Sequence, residues 1–229
     1  MKHIPAILLI GVAILFSGAA QAGSVQIPSV VGGAFSVPAI SLKEARYRAT
    51  IRQQYDFSCG SAALATLLTH HYRYPVTEET VFQEMYQLGD QAKIQREGFS
   101  LLDMKLFLER RGFAADAFEE PLDKLAAAGI PAIVLIKENG YFHFVIIKGI
   151  RDQRVLIGDP SAGTRAVTRN EFESLWVNRT LFVIYNNQNI AAFNTATDWH
   201  VAPRAPLASG VNRSGLGNVV LPKLGPGDF

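Results

Sequence analysis

The chain has one cysteine, Cys59, and the residues around it suit a nucleophilic thiol. A polar, turn-forming run precedes the cysteine, and a helix-favouring apolar run, residues 62–68, follows it. We therefore predict a buried helix over about residues 58–71, with Asp56 or Ser58 as its N-cap. A thiol at this end of a helix lies in the positive field of the helix dipole, which favours the reactive thiolate.

Gln53 lies six residues before the thiol and offers a second catalytic group. Its side-chain amide can donate a hydrogen bond, and such an amide together with the backbone N–H of the nucleophile commonly forms an oxyanion hole. The alternative is that Cys59 is a small buried hydrophobe, as lone cysteines usually are. The predicted helix start, Gln53 upstream and Gly60 directly after the thiol together favour a catalytic cysteine with remote histidine and aspartate partners.

A cysteine nucleophile needs a histidine base within hydrogen-bond reach, and His143 is the histidine that fits. The chain has five histidines. His3 lies in the N-terminal leader, and His200 lies in a poorly patterned tail. His70 and His71 lie on the cysteine helix at least eleven residues beyond the thiol, a distance of about 16 Å along the axis. His143 remains, in the middle of an apolar strand pattern.

Asp159 is the predicted orienting carboxylate, on the strand after the one that carries His143. If the turn between the strands centres near Asp152, Asp159 lies opposite residues 144–146 and diagonal to His143 on one face. Diagonal neighbours come within roughly 7–8 Å at Cα, which an Asp–imidazole hydrogen bond can span. Asp159 would then hold one imidazole tautomer and stabilise the imidazolium. Asp152 is the competing acid, and the alternative for Asp159 is a local Asp-Pro turn.

Composition and motifs argue against several other chemistries. The sequence has no HExxH motif and no CxxC pair, so a zinc site is not expected, and it has no phosphate-binding loop for ATP. A net charge of +2, without a basic stripe and interleaved aromatic residues, argues against nucleic acid as a partner. We therefore expect neither a cofactor nor a metal.

The first 22 residues have the pattern of a cleavable secretory signal. After a short polar start, residues 4–16 form an apolar core that is too short for a comfortable transmembrane helix, and residues 20–22 (Ala-Gln-Ala) form a small-x-small cleavage site. We expect a mature, exported chain that begins at Gly23; the alternative is an uncleaved membrane anchor. A single thiol in an oxidising compartment cannot form an internal disulfide, so it is either reactive or an intermolecular link.

The remainder divides into an N-terminal arm (23–50), one domain (51–186) and a tail (187–229) that is flexible, partner-bound or draped over the domain. In the domain, helix patterns come before strand patterns, which is typical of an α+β fold.

Capping residues and periodicity predict the elements of this domain. Helices are predicted over residues 78–88, 100–112 with Ser100 as N-cap, 121–128, and 170–176 with Asn170 as N-cap. The predicted apolar face of the second of these helices consists of Leu101, Leu102, Met104, Leu106 and Leu108. Residues 90–97 are predicted to be a polar loop. Strands are predicted over residues 113–118, 130–137, 141–150, 154–158, 164–168 and 181–185, with a hairpin turn at Asn139-Gly140.

Four segments in this order resemble a known family, the papain-like peptidases that mature bacteriocins by cutting after a double glycine in the leader. The segments are QQYDFSCGSAALATLL, GFSLLDMKLFLERRGF, IPAIVLIKENGYFHFVIIKGI and GDPSAGTRAVTRNEFESLW. The resemblance covers about residues 51–185 and implies a papain-like α+β fold, in which helices carrying the cysteine pack on an antiparallel sheet carrying the histidine and aspartate. It also implies Cys59 as nucleophile, His143 as base, Asp159 as orienter and Gln53 as oxyanion donor.

The sequence also differs from many members of this family. Many members of the family are N-terminal domains of ATP-driven exporters with membrane helices, and this sequence shows neither feature. It looks more like the stand-alone exported peptidase of functional-amyloid (Fap) secretion systems. That likeness implies a periplasmic role in amyloid fibre biogenesis and biofilm, with a protein substrate such as an amyloid subunit or another protein of the system. Contact with membranes is then expected only through the signal peptide or an outer-membrane partner. Gly32-Gly33 could be a self-cleavage or pseudo-substrate site.

Two other functions fit the same residues. A cell-wall amidase or acyltransferase would use the same triad on peptidoglycan stem peptides, and cell-wall zymography would detect it. A catalytically silent, chaperone-like module would position secreted subunits, and fibres would then form normally with Cys59→Ala.

Overall fold

A computed structural model describes the backbone of residues 24–28 and 34–38 and the whole of residues 40–202. The predicted signal peptide, Gly32-Gly33 and the tail beyond residue 202 lie outside the described residues. The chain divides into two units, residues 1–41 and 42–229. In the first, strands β1 (Ser24–Pro28) and β2 (Ala34–Pro38) pair antiparallel, with Ser24 opposite Pro38.

The second unit begins with helices. They are α1 (Leu42–Tyr47), α2 (Cys59–Thr66), α3 (Glu78–Leu88), α4 (Gln91–Glu97) and α5 (Leu101–Glu109), followed after one strand by α6 (Leu122–Ala128), later α7 (Arg169–Leu175) and last α8 (Ala196–Trp199). Helix α2 continues without a break into a π-helical turn, Leu67–His71. The predicted cysteine helix is therefore present over its whole length, with a wider last turn.

The strands of the second unit form one antiparallel sheet. They are β3 (Ala115–Glu119), β4 (Ala132–Glu138), β5 (Tyr141–Arg151), β6 (Arg154–Asp159), β7 (Gly163–Thr168) and β8 (Thr180–Ile184), in the spatial order β3-β8-β4-β5-β6-β7. The predicted Asn139-Gly140 turn joins β4 to β5, with Glu138 opposite Tyr141. Helices before strands and a single antiparallel sheet make this an α+β fold, as predicted.

Helices cover both faces of the sheet, and the alternation of the strands decides which core each residue joins. On one face, Phe144 and Ile146 pack with α2, α3 and α5. On the other face, Val145 and Ile147 pack with α6 and α7. All residues of α2 from Gly60 to Thr66 are buried, so the cysteine helix is the central helix of the first core.

Three local predictions were wrong. The predicted polar loop 90–97 contains α4. The Asp90 side chain caps this helix by accepting a hydrogen bond from Lys93 N, and Ile94 anchors it by packing in the core. Leu102 and Leu106 are 62% and 42% exposed, so they lie outside the buried face of α5. Helix α7 is capped by Thr168, whose hydroxyl accepts from Glu171 N, and not by Asn170.

Residues 187–202 pack against the domain. They contain a 3₁₀ turn, Gln188–Ile190, and α8, in which Asp198 and Trp199 are buried. The N-terminal part of the predicted tail is thus draped over the domain, which is one of the alternatives for this segment. Among the described residues, no helix has both the length and the apolar character needed to span a bilayer.

Candidate active site

Cys59 is the first residue of α2, at the position where the sequence predicts a nucleophile. Ser58 occupies the N-cap position, but its hydroxyl makes no capping bond. Instead, Ser58 Oγ accepts from Tyr55 N and donates to Tyr55 O, at 3.1 and 3.0 Å. Ser58 therefore shapes the loop that delivers the cysteine, and Asp56 provides no cap either.

An aromatic cluster supports this loop from the side of α3. The rings of Tyr55 and Phe57 lie 5.9 Å apart, and both contact Phe82 of α3, at 5.3 and 5.8 Å. Phe82 also packs edge-on against Phe99, at 5.4 Å. Apolar packing thus anchors the residues that immediately precede Cys59.

The Cys59 thiol lies beside strand β5. The pairing of β6 with β5 ends at Ile146, which leaves the backbone of Phe144 open to the sulfur. Burial raises the pKa of Cys59, while hydrogen bonds from the backbone of Phe144 and Gly60 act in the opposite direction. The net direction for the Cys59 pKa is upward, which is opposite to the direction expected from the helix dipole alone.

His143 and Asp159 are brought together as predicted. His143 Nε2 lies 3.3 Å from Asp159 Oδ2. An ionised carboxylate can only accept, so Nε2 carries the proton and Nδ1 is left with its lone pair. Within residues 40–202, no hydrogen bond joins this ring to the Cys59 thiol. Such contacts commonly tighten only when substrate binds.

Asp159 is buried in a site that keeps it ionised. Its Oδ1 accepts from Ser161 N, Ser161 Oγ and Ala162 N at 2.9, 2.6 and 3.2 Å. Burial by itself would raise the pKa of Asp159, but the hydrogen bonds from His143 and Ser161 outweigh it and lower the pKa below the usual range. The Asp-Pro turn and the orienting role are therefore compatible, because different oxygens serve them.

A bulge in β5 sets the two side chains on one face. Next to the turn, β5 and β6 pair with Gly149 opposite Leu156, but beyond it Ile147 pairs with Ile157. Lys148 is the extra residue. Continuing this register puts Asp159 opposite Val145, and therefore diagonal to His143.

Gln53 lies near these residues, but its amide does not point freely into the site. Gln53 Nε2 donates to Tyr55 O and Asp56 O, at 3.0 and 3.5 Å. Its backbone N donates to Pro160 O at 3.1 Å, which ties the cysteine loop to the loop after Asp159. The oxyanion role of Gln53 stays a prediction.

Sequence reasoning missed two charged residues of the site, Glu138 and Arg165. Arg165 Nη2 contacts Glu138 Oε2 at 2.5 Å and Asp159 Oδ2 at 3.3 Å. Donor atoms of Glu138, His143 and Asp159 lie within 4.8 Å of one another, so this set could hold a cation. Arg165 already supplies positive charge to both carboxylates. Part of the signal was available, because strand alternation puts Glu138 on the face of His143 and Arg165 on the face of Asp159.

An antiparallel sheet that carries a His–Asp pair, packed on a helix that begins with cysteine, defines the chain as a papain-like cysteine peptidase, which hydrolyses peptide bonds. The match to a family model is more particular. Residues 48–188 match the model of the Peptidase C39 family, and the chain belongs to this family.

Two relatives and one solved structure are similar to the chain. The probable functional amyloid protease FapD of Pseudomonas fluorescens is 38% identical over 164 residues, which are 71% of this chain and 73% of the relative. The protein of the same description from Pseudomonas aeruginosa is 35% identical over 170 residues, 74% of this chain and 75% of the relative. The peptidase domain of Streptococcus ComA, a bifunctional ABC transporter, shares the fold with a TM-score of 0.50 at 19% identity, covering 59% of this chain and 96% of that domain.

Proposed function

We propose that this chain is an exported C39 peptidase that cleaves another protein of a functional-amyloid secretion system in the periplasm. The observation that carries the proposal is the 38% identity to a probable functional amyloid protease, spread over 73% of that relative. The predicted signal peptide supports the location. The protein substrate would be an amyloid subunit or another exported protein of the system.

The geometry supports nucleophilic catalysis by the thiol, in which the proton passes from Cys59 to His143. Cys59 passes its proton to His143 Nδ1, the free ring nitrogen, and Sγ attacks the scissile carbonyl carbon. Asp159 stabilises the imidazolium through Nε2. His143 then protonates the leaving amine as the C–N bond breaks, which leaves a thioester on Cys59. His143 next accepts a proton from water, the resulting hydroxide attacks the thioester, and the acid product leaves with the thiol restored.

The oxyanion site requires a small rearrangement. The backbone N–H of Cys59 lies in the first turn of α2, where helix N–H groups have no carbonyl partner within the helix. Gln53 must release the carbonyls of Tyr55 and Asp56 before its amide can reach the oxyanion. We propose that the bound substrate contacts the cysteine loop and thereby releases the Gln53 amide from these carbonyls.

Mass spectrometry of candidate substrates tests the proposal. The chain beginning at Gly23 is incubated with each protein encoded beside it, and the new termini are mapped. One specific cut, absent with Cys59→Ala, is expected; the family resemblance suggests a double glycine before it. No cut in any co-exported protein, together with lysis of cell walls on a zymogram, would contradict the proposal and favour an amidase.

Fibre formation separates the peptidase from a silent module. Cells carrying Cys59→Ala are expected to lose fibres although the variant accumulates in the periplasmic fraction. Normal fibres in these cells would show that the thiol is dispensable and would favour the chaperone-like alternative.

A further inference from the structure

Lys148, the extra residue of the β5 bulge, is fully buried and has a specific set of partners. Its Nζ donates to Asp198 Oδ1 at 2.6 Å, to Ala49 O at 2.8 Å and to Thr164 Oγ1 at 3.3 Å. A buried ammonium is costly unless a carboxylate and further hydrogen bonds satisfy it. Asp198, which is 7% exposed, is therefore the group that allows Lys148 to stay inside.

Asp198 belongs to a segment, residues 187–202, that we call the strap. The strap binds the backbone at the bulge and two residues beyond it, since Asn194 N donates to Lys148 O at 2.9 Å and Asn194 Nδ2 donates to Ile150 O at 3.1 Å. Further along, Arg154 Nη2 of the neighbouring strand donates to Ala202 O at 2.9 Å. The strap thus provides hydrogen-bond partners for backbone groups that the extra residue leaves without partners in the sheet.

Gly149 shows how closely the strap approaches. A methyl group on Gly149 would lie 2.4 Å from Asn194 Oδ1 and 3.2 Å from Asn194 Cα. Trp199 covers the same place, and its Nε1 donates to Asn194 Oδ1 at 3.2 Å. Position 149 is therefore occupied by glycine because a side chain there would collide with the strap.

The bulge matters for the site because it determines the face of Asp159. Without the extra residue, the register next to the turn would continue, and Asp159 would pair with Ile146. Ile146 faces the core of α2, whereas His143 lies on the opposite face with Val145. Asp159 would then point away from the imidazole.

We infer that the strap is a positioning element of the active site: through Asp198 and Asn194 it holds the Lys148 bulge, which keeps Asp159 on the face of His143. Asp198 and Lys148 act through the sheet and do not touch the reacting atoms. The C39 match ends at residue 188, so nearly all of the strap lies beyond the matched residues. The inference rests on the proposed function only in assigning His143 and Asp159 their roles.

Asp198→Asn in the full mature chain tests this inference, because it removes the charge and keeps the size of the side chain. Two readouts need no substrate. In protein labelled with ¹⁵N-histidine, the proton on His143 Nε2 that is bonded to Asp159 gives a downfield signal, assigned with His143→Ala. The rate of Cys59 alkylation against pH reports whether the imidazole assists the thiol, and the single cysteine makes assignment unnecessary.

With Asp198→Asn, we expect loss of the His143 signal and at least a tenfold fall in the His143-dependent alkylation rate, at unchanged far-UV circular dichroism. Asp198→Glu, which restores a carboxylate, should recover part of both. The matched control is Asp116→Asn in edge strand β3, which removes a carboxylate from an exposed ion pair with Lys105 of α5 and should change neither readout.

A folded Asp198→Asn variant with the wild-type signal and alkylation profile would overturn the inference. If that variant does not fold, Asn194→Ala removes only the bonds to Ile150 and Trp199, and an unchanged His143 signal there would overturn it equally. Failure of the proposed function looks different. In that case the wild-type chain itself would show an alkylation rate that His143→Ala does not alter.

Discussion

At the scale of single residues, the site combines a thiol whose pKa is raised with a carboxylate whose pKa is lowered. Cys59 and Asp159 are both desolvated, but Asp159 has His143 and Ser161 as hydrogen-bond donors, whereas the thiol has only backbone donors. The pKa of Cys59 is therefore raised and that of Asp159 is lowered. The reactive thiolate must then arise together with the imidazolium, as an ion pair formed when His143 Nδ1 comes within reach of the thiol.

His143→Ala tests this dependence. The variant is expected to lose roughly 10²–10⁴-fold in kcat/KM, because no other described histidine can take the thiol proton. His200→Ala, at an exposed position, is the control and should keep full activity. Equal activity of the two variants in a peptide-cleavage assay would remove His143 from the mechanism.

His71 makes stability depend on pH. It is fully buried, with Nδ1 2.7 Å from Ala192 O and with Nε2 unpartnered among the described atoms. Burial, then the charge of Lys148, lowers the pKa of His71 to about 4, although Ala192 and Asp198 act the other way and His70 adds to the lowering. The unfolded chain therefore binds the extra proton first, and stability falls as the pH drops from about 6.5 toward 4.

Urea unfolding at pH 7 and pH 5 measures this effect. We expect the free energy of unfolding to fall by on the order of 2 kcal/mol between these values, and the fall to be smaller in His71→Gln. His200→Gln should retain the wild-type difference. A His71→Gln chain with an undiminished pH dependence would assign the effect to other groups.

At the scale of elements, the sequence predicted a helix correctly where a capping residue and a periodic apolar pattern agree. Helix α3 begins and ends as predicted, because Thr77 caps it and Gly89 terminates it. Helix α4 was missed because Ile94 is its only buried residue, so no apolar period could reveal it. The bulge was not predicted either, although a Lys-Gly pair inside an apolar strand is the kind of signal that marks one.

The site shows the same limit. The pairing of His143 with Asp159 was predicted from strand alternation and an approximate turn position, but the face of Asp159 also depends on the Lys148 bulge, which was not predicted. The raised pKa of Cys59 and the engagement of the Gln53 amide depend on burial and on the loop conformation. Neither is encoded in spacing, so a helix-dipole argument alone could not show the effect of burial on the pKa of the thiol.

Helix α5 offers a clean test of capping in this fold. Ser100 and Asp103 form a reciprocal capping box, in which Ser100 N donates to Asp103 Oδ2 at 2.7 Å and Asp103 N donates to Ser100 Oγ at 3.3 Å. Ser100→Ala should cost about 1 kcal/mol of stability. The melting temperature should fall while the alkylation profile of Cys59 stays constant, since α5 does not position the His–Asp pair. Ser174→Ala, in α7, serves as the control.

At the scale of the molecule, the domain buries residues that its family match does not include. The predicted boundary at residue 186 is close to the end of that match at 188, yet Trp199 and Asp198 are buried against the sheet. Pattern alone could not show this, because the strap is rich in small and polar residues and lacks a period. Its role is visible only in contacts.

Two truncated chains measure this contribution. A chain that ends at residue 186 leaves Lys148 buried without its carboxylate, and we expect it to be less stable than a chain that ends at residue 202 by at least about 3 kcal/mol. Denaturant midpoints of the two chains, each compared with the full chain, give the difference. Equal midpoints would mean that the strap adds no stability to the domain.

The offset of sixteen residues from His143 to Asp159 also predicts how related chains can differ in length. The Asp152-Gln153 turn, with both residues at positive φ, can gain or lose residues without disturbing the pair, because strand register lies outside it. A single insertion or deletion within β5 or β6 would exchange the two faces beyond it. We therefore expect natural length variation in this hairpin to collect at the turn, and any change inside a strand to occur with a compensating one.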